Sequence, residues 1–180
     1  MILSQSFFQN KNTVKIAKNL LGKFLVRRYA PTRKRSGQKS LSQAFLITEV
    51  EAYDGFKDRA SHAHRGKTER NKIMFGEAGH WYVYFTYGMH YMLNIVTGPK
   101  DYPAAVLIRA VNKIKGPARL TRALRIDKKL NGKPAVVDSG LWLEDRGLEI
   151  KNYQIKSSAR IGVDYAGPNW GKKKYRFYLS

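Results

Sequence analysis

Acidic side chains are scarce in this chain, with 13 Asp and Glu against 34 Lys and Arg, so a pair of them two residues apart draws notice. Glu49 and Glu51 fall in Ala44–Tyr53, AFLITEVEAY, a stretch rich in β-formers that alternates over its second half. On a strand, residues two apart leave on the same face. Glu49, Glu51 and Tyr53 therefore share one side, while Val50 and Ala52 take the other. A carboxylate beside an aromatic ring can activate a water next to a stacked planar group. It can equally be held by arginine for structural reasons alone, and the residues leave both readings open.

The window Trp81–Tyr91 carries Trp81, Tyr82, Tyr84, Phe85, Tyr87 and Tyr91. Tyr82 and Tyr84 should point to one side of a strand and Trp81 and Phe85 to the other. One row can fill a core while the second offers stacking surfaces or a wedge, as nucleobase recognition requires. A thick aromatic core is the alternative, because aromatic rings dominate core area. His62, His64, His80 and His90 match no helical or ribbon-type metal spacing, and the chain has no cysteine. Neither a G-x-G-x-x-G nor a Walker-type phosphate loop occurs. No metal and no cofactor are expected.

The elements that would position these residues follow from periodicity. Residues 13–28 read as an amphipathic helix capped by Asn12 or Thr13 and turning into a strand after Gly22. Residues 31–40 are basic, with Pro31 and Gly37, and read as an exposed loop. A polar stretch over 54–71 holds His62 and His64. Residues 80–97 read as two strands joined at Tyr87-Gly88, and Ala104–Val111 as a buried strand. The pattern over 116–131 predicts a basic helix with Pro117 in its first turn and Leu120, Ala123 and Leu124 on one side. The expected architecture is a mixed α/β (α+β) fold in a single domain over 1–180. Its sheet would be curved and mostly antiparallel, with helices at its periphery.

The formal net charge is +21 and the pI is near 10.2. Such an excess repels itself in the folded state unless a polyanion neutralises it, which makes nucleic acid the expected partner. No run of apolar residues is long enough to span a membrane, and the first residues do not form a leader pattern. An intracellular, DNA-associated and monomeric protein is the expectation. Composition alone also admits a non-catalytic basic nucleic-acid-binding module, which gives no reason for Glu51 or for Arg109 in an apolar strand.

In order along the chain, TEVEAY, D-x-x-SH, ERNKIMF, WYVYFTYGMHYMLNIV, AVLIRA, GPARLTRAL and RIGVDYAGPNW…YRFY resemble the 3-methyladenine (alkyladenine) DNA glycosylase family. The likeness covers about four-fifths of the chain, and YVYFTYGMHYMLN is its most specific run. It implies a base-excision repair enzyme that flips alkylated or deaminated purines out of duplex DNA and hydrolyses the N-glycosidic bond without strand cleavage. By this resemblance Glu51 is the general base, and Arg109 and the backbone of Ile161 help hold the water. Tyr53, His62 and Tyr84 sandwich the flipped base, Ala60 touches its edge and Asn94 screens guanine. Tyr87 wedges into the duplex. Arg59 departs from the family, being basic where an acid is common.

Overall fold

The structure is a computed structural model that describes residues 1–29 and 40–180. The basic loop expected over 31–40 lies, apart from Ser40, outside the described residues. In chain order the helices are α1 (Gln5–Phe8), α2 (Thr13–Leu20), α3 (Pro117–Ala123) and α4 (Gly167–Gly171). The strands are β1 (Phe24–Tyr29), β2 (Leu41–Asp54), β3 (Trp81–Thr86), β4 (His90–Val96), β5 (Ala104–Val111), β6 (Ile114–Lys115), β7 (Leu141–Glu144), β8 (Ile155–Ser158) and β9 (Arg176–Leu179). Together they make a mixed α/β domain built on one open, antiparallel nine-stranded sheet.

The sheet is organised around β2. Its first half pairs with β1, and its second half lies between β5 and β9, with Glu51 opposite Leu107 on one side and Arg176 on the other. The path continues from β5 through β4 to β3, and from β1 to β7. Register shifts around Glu49 mark a bulge in β2, the device by which a strand bends where it changes partners.

Strand parity then decides which side chains meet. Ile47, Val50 and Ala52 of β2, Trp81 and Val83 of β3, Leu93 and Ile95 of β4, and Val106 and Ile108 of β5 are all buried on one face. Ile16, Ala17 and Leu20 of α2 and Leu120 and Leu124 of α3 cover that face. Truncating one such side chain, Ile108→Ala for example, should cost about 2–5 kcal/mol. The residues of opposite parity on these strands are Glu51, Tyr53, Tyr82, Tyr84, Met92, Asn94, Leu107 and Arg109. The sheet's second face therefore collects the polar and aromatic groups.

Helix α2 starts at Asn12, whose side chain accepts from the Lys15 amide at 2.9 Å. It stops because Gly22 adopts φ +82°, where a Cβ would sit 2.4 Å from Ile150 Cγ1. The helix expected over 116–131 is shorter. It ends at Ala123, Arg125 takes a positive φ of 50°, and a 3-10 turn follows over Lys128–Leu130. Arg27 explains the stop: its guanidinium receives the last carbonyls, donating to Leu124 O at 3.0 Å and Arg125 O at 3.0 Å. Ala123 is exposed, and Thr121 turns inward in its place, donating to Tyr91 O.

Candidate active site

The second sheet face carries a cavity of about 290 Å³ whose walls come from several parts of the chain. Strands β2 to β5 supply the floor. The segment after β2 brings Ala60, Ser61 and His62, the turn before α4 brings Ile161, Val163 and Tyr165, and the β3–β4 turn adds Tyr87 at the rim. The nine residues to which the resemblance gives roles, namely Glu51, Tyr53, Ala60, His62, Tyr84, Tyr87, Asn94, Arg109 and Ile161, line this one cavity, whereas Glu49 and His64 do not.

Glu51 is fully buried, yet its carboxylate is well supplied with donors. The Ile161 amide donates to Oε1 at 2.9 Å, Arg109 Nη1 lies 3.2 Å from the same oxygen, and the Tyr53 hydroxyl donates to Oε2 at 2.9 Å. Arg109 is shared: its Nε donates to Glu49 Oε1 at 2.8 Å. The bulge in β2 keeps both glutamates within reach of one guanidinium. A buried anion is tolerable only with such partners. The ring next to the carboxylate stays a donor. Burial pushes the Tyr53 phenol well above its ordinary value, and the neighbouring Glu51 charge adds to this.

Tyr82 and Tyr84 stand side by side, 5.2 Å apart, and face the cavity, while Trp81 points into the core and donates to Leu141 O. His62 meets the edge of Tyr84 at 4.6 Å. Its Nδ1 is 3.0 Å from the Tyr82 hydroxyl. Part of the His62 ring is open to solvent, but its surroundings hold its pKa down to about 4, through burial first and then the positive charge of Arg70. His62 is therefore neutral at neutral pH. Arg70 lies 5.3 Å from the centre of the Tyr84 ring and donates to Phe85 O. Asn94, opposite Tyr82 across the β3–β4 ladder, is buried and donates to Tyr82 O at 3.1 Å.

Tyr87 is set apart from this group. It is 78% exposed at the tip of the β3–β4 turn, where it and Gly88 both have positive φ, 52° and 64°. Such a turn favours Asn-Gly, and a tyrosine there carries a conformational cost. Met89, 67% exposed, flanks it.

Several participants lie in motifs noticed in the sequence but were given no role there. Asp58, from D-x-x-SH, forms a fully buried bidentate ion pair with Arg160, and Tyr165 donates to Ala60 O at 2.9 Å. Arg160 is one of 34 cations, so composition could not single it out. Asp58 was easier to find, as one of only 13 acids in a basic chain. Among the described residues no three His, Cys, Asp or Glu side chains gather as a metal site would need. No helix among them is long and apolar enough to cross a membrane.

The chain matches the family profile of methylpurine-DNA glycosylase over residues 6–116 and 111–180. Among curated proteins it is 40% identical to one from Methanocella arvoryzae, covering 95% of this chain and 89% of the relative. It is also 40% identical to a Carboxydothermus hydrogenoformans protein, over 99% and 95% of the two chains. A Legionella pneumophila protein is again 40% identical, over 96% and 91%. Each of the three bears the name "Putative 3-methyladenine DNA glycosylase". With the profile and these relatives spanning nearly its whole length, the chain belongs to the methylpurine-DNA glycosylase family.

Proposed function

We propose that this protein hydrolyses the N-glycosidic bond of alkylated or deaminated purines in duplex DNA, using water activated by Glu51, and leaves an abasic site. The observation that carries this reading is a buried, donor-rich carboxylate at the floor of an aromatic cavity, with an exposed strained tyrosine at its rim. Substrates of this class are 3-methyladenine, 7-methylguanine, hypoxanthine and ethenoadenine.

A glycosidic bond inside stacked DNA is out of reach, so the nucleotide must first leave the helix, at a cost of a few kcal/mol. Tyr87 fills the gap, and Lys and Arg side chains hold the phosphates. The base enters between Tyr53 on one side and His62 with Tyr84 on the other. Electron-rich tyrosine rings beside a neutral histidine suit a purine made cationic by alkylation. Ala60 meets the base edge, and Asn94 disfavours an added exocyclic amine.

As the C1′–N bond breaks, positive charge grows on the sugar, as in other glycoside hydrolyses. Glu51 stabilises that charge and takes a proton from the attacking water, whose oxygen bonds to C1′. The bonding electrons leave with the base: an alkylated cationic purine departs neutral, whereas a neutral purine takes up a proton. Arg109 and the backbone at Ile161 hold the carboxylate and the water in place. Water is the nucleophile, so no Schiff base forms and the strand is not cut.

The test uses end-labelled duplexes, each with one of these lesions, incubated with wild type or Glu51→Gln and then heated in alkali. Breaks at the lesion only after alkali, lost in the variant while binding persists, support the reading. Tight binding with no breaks on any substrate would favour a non-catalytic binding module. A covalent adduct trapped by borohydride would overturn the water mechanism.

A further inference from the structure

Arg160 sits directly before Ile161, and its side chain is fully buried. Its Nη1 donates to Ala52 O at 2.8 Å and to Asp58 Oδ2, and Nη2 donates to Asp58 Oδ1 at 2.8 Å. The guanidinium lies 4.7 Å from the centre of the Tyr53 ring and 5.4 Å from that of Tyr175. Burial works against this charge and is the largest single influence, but the Asp58 hydrogen bonds, the Asp58 charge and the nearby Tyr53 and Glu51 together outweigh it and raise the arginine's pKa. Asp58 in turn accepts from the Asp54 and Ala60 amides through its two oxygens.

One side chain thus ties three parts of the site. It braces the back of the Tyr53 ring. Through Asp58 it fixes the turn that presents Ala60 and His62. Through the chain it sets the position of the Ile161 amide on Glu51. A bidentate pair fixes direction as well as distance, which a lysine cannot reproduce.

We propose that Arg160, paired with Asp58, is a positioning residue for base excision: it registers the base-stacking ring, the base-edge loop and the Ile161 amide against Glu51. The inference rests on the glycosylase reading above and touches no reacting atom itself. The bland alternative is that the pair only stabilises the fold, as buried pairs often do when one partner is lost. The difference is legible because a positioning loss slows chemistry in a folded protein, where misplacement of about 1 Å costs about 10²-fold.

The experiment compares Arg160→Lys and Asp58→Asn with Arg27→Lys, which weakens a partly exposed set of arginine–carbonyl hydrogen bonds among residues that do not line the cavity. All are studied well below their melting temperatures. The first readout is amide hydrogen exchange at Ile161 in the free protein. The second is single-turnover release from an ethenoadenine duplex, and the third is affinity for that duplex. Expected in both site variants are exchange faster by about tenfold or more and release slower by about 10²-fold, with affinity little changed. Arg27→Lys should move none of the three.

Wild-type exchange and release in folded site variants would overturn the proposal. So would failure of both to fold while Arg27→Lys folds, since the pair would then hold the fold rather than the site. A fall in affinity that accounts for the whole loss of release would overturn it as well. If wild type itself releases no purine, the glycosylase reading fails, and Ile161 exchange alone decides whether Arg160 holds that amide on Glu51.

Discussion

The Tyr53 hydroxyl donates to Glu51 Oε2 at 2.9 Å, so the ring that walls the cavity and the carboxylate on its floor are fixed to each other. They sit two residues apart on one strand, and the phenol keeps its proton because burial and the neighbouring charge both oppose ionisation.

Tyr53→Phe separates the two roles of this side chain. The ring remains, but Glu51 Oε2 loses its donor and the carboxylate gains rotational freedom. Purine release in a single turnover should slow by about tenfold, with DNA affinity unchanged. Tyr53→Ala should lose binding of the flipped base in addition, since stacking contributes about 1–3 kcal/mol per base. Equal rates for wild type and Tyr53→Phe would show that the hydroxyl does not position Glu51.

Arg109 joins Glu49 to Glu51, and its side chain is 11% exposed. Arg109→Ala leaves a fully buried carboxylate short of a cation, so urea unfolding should show a loss of about 3–5 kcal/mol. Glu49→Gln should be much milder, because Arg109 keeps Glu51 and the amide can still accept from Nε. Similar losses for the two variants would contradict this account of the pair.

Tyr87 is held in a backbone conformation that glycine adopts freely. Tyr87→Gly should raise stability by up to about 1 kcal/mol, since the exposed ring contributes little burial and the strain is removed. The same variant should process lesion-bearing duplex poorly, because nothing then fills the vacated stack. Thermal melts and single-turnover rates measured together check this. A variant that melts lower, or excises normally, goes against a strained wedge.

His62 should titrate near 4 rather than at the ordinary histidine value of 6.5. The sign follows from proton counts. Between those values the unfolded chain holds a proton that the folded protein does not, so this residue's contribution to stability falls as pH drops from 6.5 to 4. Histidine resonances followed by NMR give the midpoint directly. A His62 midpoint at 6 or above would mean the ring is not held neutral by its surroundings.

Much of the site was legible before any coordinates, because strand parity needs only sequence. Period-two alternation set Glu49 and Glu51 on one face, where Arg109 spans them, and split Trp81, in the core, from Tyr82 and Tyr84 at the cavity. The hairpin turn at Tyr87-Gly88 and the strand Ala104–Val111 were readable for the same reason. The end of α3 was not. Its amphipathic pattern ran on past Ala123, but the guanidinium of Arg27, distant in sequence, receives the carbonyls that a longer helix would have used.

By itself the sequence determined the alternation of its strands, the excess of positive charge and the rarity of acids, all of which are local or compositional properties. Tertiary structure alone decided that β2 would lie between β5 and β9, which buries Glu51 and brings Arg109 and Ile161 to its Oε1 from 58 and 110 residues away. It alone joined Asp58 to Arg160, 102 residues apart. Contacts of that kind carry no periodicity, because they depend on which strands become neighbours, and that is fixed only when the whole sheet buries its apolar face.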